Sequence, residues 1–229
     1  MKGFSFLNLE IKRLNDELKL WSVNMKYYLL SGMDEKNDYN FFSNIAEIFK
    51  KELCEFNSIV YIPTYPDKRD KCKKLAESNI FKNIGITFER IIVLDNTYTE
   101  DEIKNVINEN ELFFLYGGNP YKQIEFINKY KISELIKNKV IIGLSAGSIN
   151  MSEISICTKD DEFEESQMYQ GMGLVSFSVE PHFDLSNKEV LIDLLEFSKN
   201  TDIYALEDDA YIIMDNEHIY FYRRYIFLT

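Results

Sequence analysis

The stretch KVIIGLSAGS, residues 139–148, decides the fold because it joins an apolar run to a short turn flanked by glycines. Such a run indicates a buried strand, and the change to small residues predicts a sharp turn into a helix. The G-x-S-x-G pattern within it is typical of a nucleophile elbow, in which a serine occupies a strained strand-to-helix turn. We therefore predict that Ser145 is a nucleophile. The alternative is an ordinary glycine-rich turn with an incidental serine.

Apolar runs alternate with amphipathic helical patterns before this stretch. That alternation is typical of a parallel sheet covered by helices on both faces. We predict an α/β fold, a three-layer sandwich with a mostly parallel central sheet. Strands are predicted at 26–31, 58–63, 89–95, 111–118 and 139–145, and helices at 39–53, 67–80, 99–108, 119–130 and 132–138.

The two ends of the chain differ from that pattern. Residues 1–24 carry apolar residues spaced by threes and fours, which predicts an appended N-terminal helix, so the main domain is predicted to span 25–229. Towards the C-terminus the pattern is strand-like over 173–182, helical over 186–199 and again strand-like over 203–228. We expect these C-terminal strands to extend the same sheet.

The composition excludes several classes of protein. Apolar residues make up 45% and charged residues 28% of the 229 residues, which is typical of a folded domain. Asp plus Glu number 38 against 26 for Lys plus Arg, a net charge of −12, so we expect neither nucleic acid nor a membrane as a partner. Two histidines and three scattered cysteines are too few for a metal cluster rich in either residue.

The predicted location rests on three further features of the sequence. It contains no run of 18 apolar residues, which argues against a transmembrane helix. Residues 1–24 lack the uninterrupted apolar stretch and the small-residue cleavage site of a signal peptide. The sparse, odd number of cysteines fits a reducing compartment. We therefore expect the protein in the cytoplasm.

A serine nucleophile needs a base and hydrogen-bond donors for an oxyanion. His182, in VEPHFD at the end of an alternating apolar strand, is the predicted base, whereas His218 lies in a polar turn and is interpreted as a surface residue. The YGGN turn at residues 116–119 and Ala146, directly after Ser145, are predicted to supply backbone N–H groups to an oxyanion hole. The alternative for YGGN is a simple turn that caps the next helix.

The acid that would orient His182 stays open at this point. Glu207, Asp208 and Asp209 form a cluster between two apolar strands, and Asp160 lies in an acidic loop soon after the predicted elbow. An acidic run of that kind is usually a solvated face. Spacing alone does not select one of these acids.

The motifs YGGN, GLSAGS, the loop with Asp160 and VEPHFD, in this order, resemble the peptidase E family of serine peptidases, which is related to the cyanophycinases. The resemblance covers about residues 26–215, and residues 1–24 have no counterpart in it. It implies the flavodoxin-like fold of class I glutamine amidotransferases. It also implies an exopeptidase that releases N-terminal aspartate from short peptides.

The resemblance implies a role for each motif residue. Ser145 corresponds to the nucleophile and His182 to the general base. Asp160 corresponds to an acidic residue that is important for activity. The acid of the triad falls in the LEDDA segment, where Asp208 aligns and Glu207 is the neighbouring candidate.

The resemblance assigns the oxyanion hole to Gly118 and Ala146 and implies no cofactor and no metal. One departure concerns the choice of substrate. Aspartyl dipeptidases carry an arginine-bearing stretch after the PHF motif, whereas this chain passes directly into a helix with Lys188 as the only cation. Since an aspartyl side chain prefers a positive partner, we expect at most a modest preference for aspartate. Asp160 is the candidate for binding the substrate's free α-amino group or for ordering the site.

The sequence therefore predicts a cytoplasmic serine exopeptidase that acts on short peptides, and it leaves a homodimer open. Two alternatives remain: a catalytically inert binding module with an amidotransferase-like fold, and a hydrolase of another amide or ester. A glutaminase would need a cysteine where Ser145 stands, so it ranks low.

Overall fold

The structure, a computed structural model, describes residues 25–37, 40–78, 80–160 and 162–229, so the helix predicted over residues 1–24 lies outside it. Within the described residues no helix has the length and apolar character needed to cross a membrane. The strands are β1 (Lys26–Leu30), β2 (Ser58–Ile62), β3 (Arg90–Val93), β4 (Leu112–Leu115), β5 (Val140–Leu144), β6 (Ile154–Cys157), β7 (Gln167–Gln170), β8 (Ser178–Glu180), β9 (Ile203–Leu206), β10 (Tyr211–Asp215), β11 (His218–Tyr222) and β12 (Tyr225–Leu228). The helices are α1 (Ser43–Glu52), α2 (Arg69–Ser78), α3 (Glu100–Asn108), α4 (Pro120–Lys129), α5 (Ile132–Ile136), α6 (Ala146–Met151) and α7 (Lys188–Phe197).

A seven-stranded sheet in the order β11-β10-β1-β5-β4-β2-β3 forms the centre of the structure. The strands β1 to β5 run parallel to their neighbours in this group, and β10 and β11 pair antiparallel at the β1 edge. Because β1, β5 and β4 are adjacent and parallel, their carboxyl ends lie together at one end of the sheet. Sites in open α/β sheets form at such ends.

Helices cover both faces of this sheet, as the apolar runs predict. Successive strand residues point to opposite faces. Tyr27 and Leu29 belong to one core, which includes buried residues of α3, α4, α5 and α6. Tyr28 and Leu30 belong to a second core, together with Phe49 of α1. A strand that is buried on both sides is apolar at consecutive positions, which explains the continuous runs in the sequence.

The prediction for the C-terminal strands is partly wrong. The strands β10 and β11 extend the central sheet as expected, but β8, β9 and β12 form a separate sheet in the order β12-β9-β8. The strand predicted over 173–182 is only the three residues of β8, and the β6–β7 hairpin was not predicted. The physical reason is a third small core near α7, which packs against one face of β9 and β12, while Leu206 on the other face of β9 belongs to the core of the main sheet. Its members include Ile156, Phe183, Leu194, Ile203 and Leu228.

Candidate active site

Ser145 occupies the sharp turn between β5 and α6. Its backbone adopts φ 50° and ψ −112°, in the left-handed region that L-residues rarely occupy. Its N–H donates a hydrogen bond to the Leu30 carbonyl at the end of β1 (2.9 Å), and the Ser148 hydroxyl donates to the same carbonyl (2.8 Å). The strained conformation is therefore held from both sides of the serine, as a nucleophile elbow requires.

The two glycines of G-x-S-x-G are required by close packing around this turn. A Cβ atom at Gly143 would lie 2.8 Å from the Ser148 backbone nitrogen. A Cβ atom at Gly147 would lie 2.2 Å from the Leu115 carbonyl oxygen on β4. Any larger residue would push α6 away from the sheet, so the motif reflects packing of the elbow as well as its chemistry.

His182 connects the serine to an acid. Its Nε2 lies 2.9 Å from Ser145 Oγ, and its Nδ1 lies 2.7 Å from Asp208 Oδ1. With the ring proton on Nδ1, the ring donates to Asp208 and accepts the serine hydroxyl through Nε2; this tautomer is assigned from the hydrogen-bond partners. The side chains of His182 and Asp208 are 52% and 69% exposed, so the pair is open to solvent.

The neighbours of Asp208 have other contacts. Glu207 takes part in the turn through its backbone: its N–H donates to Arg224 O (3.2 Å), and its carbonyl accepts from Ala210 N (2.8 Å). The Asp209 carboxylate lies 3.6 Å from Arg223 Nε. Among the described residues, Asp208 is thus the member of the acidic cluster that contacts the His182 ring. His218 is exposed on β11, the edge strand of the main sheet.

Ser31, which the sequence analysis did not select, positions His182. Its buried hydroxyl accepts a hydrogen bond from the His182 backbone N–H (2.8 Å) and donates to the Leu206 carbonyl (3.1 Å). The next residue, Gly32, packs beneath the imidazole, since a Cβ atom there would lie 3.1 Å from His182 Cε1 and 3.1 Å from Asp208 O. In the sequence, the only sign of this role is a pair of small residues, Ser31 and Gly32, after an apolar strand.

The predicted oxyanion hole lies at the carboxyl ends of β4 and β5. Gly118 has φ 124°, and a Cβ atom there would lie 2.5 Å from Thr64 Oγ1, so only glycine fits. Gly118, Ser145 and Ala146 line one cavity. Within the described part of the chain, the N–H groups of Gly118 and Ala146 donate to no other group, which leaves both available to a ligand oxygen.

Asp160 shapes a loop beside this cavity. In the described part of the structure, no hydrogen bond joins it to Ser145 or His182. Its Oδ1 accepts the N–H groups of Glu162 (2.7 Å) and Phe163 (2.8 Å). Glu162 in turn accepts a hydrogen bond from the side chain of Asn119 (2.8 Å), the residue after Gly118. Asp160 therefore links the folding of its loop to the YGGN turn.

Comparison with known proteins identifies the family. The family model described as Peptidase family S51 matches residues 28–221. The chain belongs to peptidase family S51. Peptidase E of Nostoc sp. (strain PCC 7120 / SAG 25.82 / UTEX 2576) is 29% identical over 194 residues, which cover 72% of this chain and 75% of the relative. An uncharacterized peptidase of Pasteurella multocida (strain Pm70) is 24% identical over 195 residues, 76% of this chain and 92% of that protein.

Two solved structures share the fold. A Listeria monocytogenes EGD-e protein assigned to peptidase E superimposes with a TM-score of 0.62 at 17% identity, covering 88% of this chain and 99% of that one. A peptidase from an acI-B1 Actinobacterium gives a TM-score of 0.61 at 15% identity, with 84% of each chain covered. These structural likenesses confirm the predicted α/β fold. The family match and the peptidase E relative confirm the prediction of a serine-type peptidase related to peptidase E.

Ser145 and His182 line two of the cavities that the described residues of this S51 peptidase form. The first has a volume of about 230 Å³, and its polar lining includes Asp160 and Glu180. The second has a volume of about 490 Å³, and apolar atoms, including those of Ile80, make up a larger share of its surface. In the described residues, no three His, Cys, Asp or Glu side chains converge as metal ligands do. A peptide bond at Ser145 would therefore have one polar and one more apolar side.

Ser31→Ala tests the positioning of His182. The change leaves the His182 N–H without its partner, so we expect kcat for a short peptide to fall by about tenfold to a hundredfold with KM little changed. Steady-state kinetics and thermal unfolding are measured together.

The matched control is Ser58→Ala, which removes a hydroxyl that donates to Asn110 at the opposite end of the sheet. This variant is expected to retain kcat within about threefold. Equal losses of kcat in the two variants, or a loss in Ser31→Ala that appears only in KM, would contradict the positioning role.

Proposed function

We propose that this chain is a serine exopeptidase that hydrolyses short peptides, with Ser145 as nucleophile, His182 as general base and Asp208 as orienting acid. The observation that carries the proposal is the chain of hydrogen bonds from Ser145 Oγ to His182 Nε2 (2.9 Å) and from His182 Nδ1 to Asp208 (2.7 Å), on a strained elbow. This is the geometry of acyl transfer by a serine–histidine–carboxylate triad.

The mechanism follows from the position of each group. Ser145 attacks the scissile carbonyl while His182 takes its proton, and the Asp208 carboxylate stabilises the imidazolium that results. The N–H groups of Gly118 and Ala146 stabilise the oxyanion of the tetrahedral intermediate. His182 then protonates the leaving amine, and water hydrolyses the acyl-enzyme with the same base. No step needs a metal or a cofactor.

The smaller cavity supports a terminal residue as its ligand. Its volume of about 230 Å³ is below the usual range for drug-sized ligands, so it suits one residue rather than an extended chain. Asp160 contributes to activity by ordering the loop that forms one wall. Lys159, also in the wall, already pairs with Glu189 (2.6 Å), which supports a weak preference for an aspartyl side chain.

Three further predictions about the protein are not part of this proposal. A cytoplasmic location, a homodimer and an appended helix over residues 1–24 are expectations from the sequence alone. A hydrolase of another amide or ester would use the same three residues and differ only in the cavities. A binding module without catalysis would have no need of the strained serine or of an acid bound to His182.

Asp208→Asn and Glu207→Gln separate the two candidate acids. Loss of the Asp208 charge removes control of the His182 tautomer, so we expect kcat to fall by up to about 10⁴-fold. Glu207→Gln is the matched neighbour and is expected to retain kcat within about threefold. Turnover of a short peptide is measured in both. The reverse ranking would move the role to Glu207, and two mild effects would leave only a dyad.

A panel of Asp-Leu, Ala-Leu and N-acetyl-Asp-Leu tests the substrate class. We expect hydrolysis of the two free peptides with rates within about tenfold of each other, since no unpaired cation of the described cavity wall favours aspartate. The acetylated peptide lacks the ammonium and is expected to be cleaved at least about a hundredfold more slowly. Rapid cleavage of that peptide would refute an exopeptidase, and a preference for aspartate above about a hundredfold would refute the weak selectivity.

A further inference from the structure

Glu180 is a buried acid, in the wall of the cavity that contains Ser145, that the mechanism above does not use. It is the last residue of β8, two positions before His182, and only 5% of it is exposed. Its Oε1 accepts a hydrogen bond from the Thr158 hydroxyl (2.6 Å). Its Oε2 is buried and has no hydrogen-bond partner among the described residues. Glu180 also lines the smaller cavity that contains Ser145.

The surroundings of Glu180 lack a compensating charge. The pKa of this carboxyl is raised to about 8, mainly because burial penalises the charged form; the negative charge of Asp160 adds to the rise, and the Thr158 hydrogen bond opposes it. A buried carboxylate is costly unless a cation or several donors meet it. In the described wall of this cavity, the one Lys or Arg is Lys159, which already pairs with Glu189 (2.6 Å). The missing positive partner can therefore come from a ligand.

We propose that Glu180 is the receptor for the α-ammonium group of the substrate's N-terminal residue. The inference rests on the proposed exopeptidase function and specifies how that site selects a free N-terminus. In such a substrate only one carbon separates the ammonium from the carbonyl that Ser145 attacks, so both groups must lie in the same cavity. An ammonium donates three hydrogen bonds, and Glu180, in the wall of that cavity, has one buried carboxylate oxygen without a partner among the described residues.

Asp160 is less suited to this role, although the sequence favours it. Its Oδ1 is already used by the N–H groups of Glu162 and Phe163, and the residue is exposed to water. An exposed carboxylate gains little from an ion pair because solvent screens the interaction. A buried carboxylate gains more, since the ammonium relieves the cost of its burial. Glu180 therefore binds the charge, and Asp160 orders the loop.

The test measures binding without turnover. Ala-Leu and N-acetyl-Ala-Leu are titrated by calorimetry into the Ser145→Ala variant, and then into the same variant carrying Glu180→Gln. Glutamine keeps an oxygen that accepts from Thr158 and cannot take on the negative charge that a bound ammonium would stabilise. We expect Ala-Leu to bind at least about tenfold more tightly than the acetylated peptide when Glu180 is present, and within about threefold of it in the variant that also carries Glu180→Gln.

Asp184→Asn in the Ser145→Ala background is the matched control. Asp184 also carries a charge in the wall of this cavity, but its two carboxylate oxygens already accept hydrogen bonds from Ser186 N (2.8 Å) and Ser186 Oγ (2.6 Å). We expect this variant to keep the preference for Ala-Leu.

Three results would overturn the assignment: no preference for the free peptide or no measurable binding with Glu180 present, an unchanged preference after Glu180→Gln, or an equal loss of preference in Asp184→Asn. Because the assay needs no catalysis, its outcome is independent of whether the wild-type protein hydrolyses peptides. A chain that binds the free amine but turns over no peptide would retain the Glu180 assignment and refute the proposed function.

Discussion

The carboxyl end of β1 positions both the Ser145 elbow and the His182–Asp208 pair of the candidate site. The Leu30 carbonyl accepts hydrogen bonds from Ser145 N–H and the Ser148 hydroxyl, which hold the elbow. The Ser31 hydroxyl then binds the His182 backbone, and Gly32 allows the imidazole and the Asp208 backbone to approach. Serine, histidine and acid come from three distant segments, and this short piece of chain contacts all of them.

Much of the fold and part of the site could be predicted from the sequence. The parallel sheet follows from continuous apolar runs, since a strand buried on both faces has no polar side. Ser145 and its two glycines were recognisable because strain and close packing restrict an elbow to small residues. The partners of the C-terminal strands were not predictable in this way, because an apolar alternating strand fits the edge of either sheet.

Other parts of the site depend on contacts that no local pattern records. Asp208 and Glu207 are adjacent, and which of them faces His182 depends on a turn closed by the hydrogen bond from Ala210 N to Glu207 O. In the sequence Ser31 is an ordinary serine after a strand, and only the structure shows that its hydroxyl binds the His182 backbone. Glu180 is distinctive only in three dimensions, where burial and Thr158 leave one of its oxygens without a partner.

The proposed mechanism requires Ser145 to be an activated nucleophile, and active-site labelling measures that property. The wild-type protein and Ser145→Ala are treated with a fluorophosphonate, and the modified residue is located by mass spectrometry of peptides. We expect a single label on Ser145 in the wild type and no label in the variant, with circular dichroism showing that both proteins are folded. A label on another residue, or no label on the folded wild-type protein, would contradict the proposed mechanism.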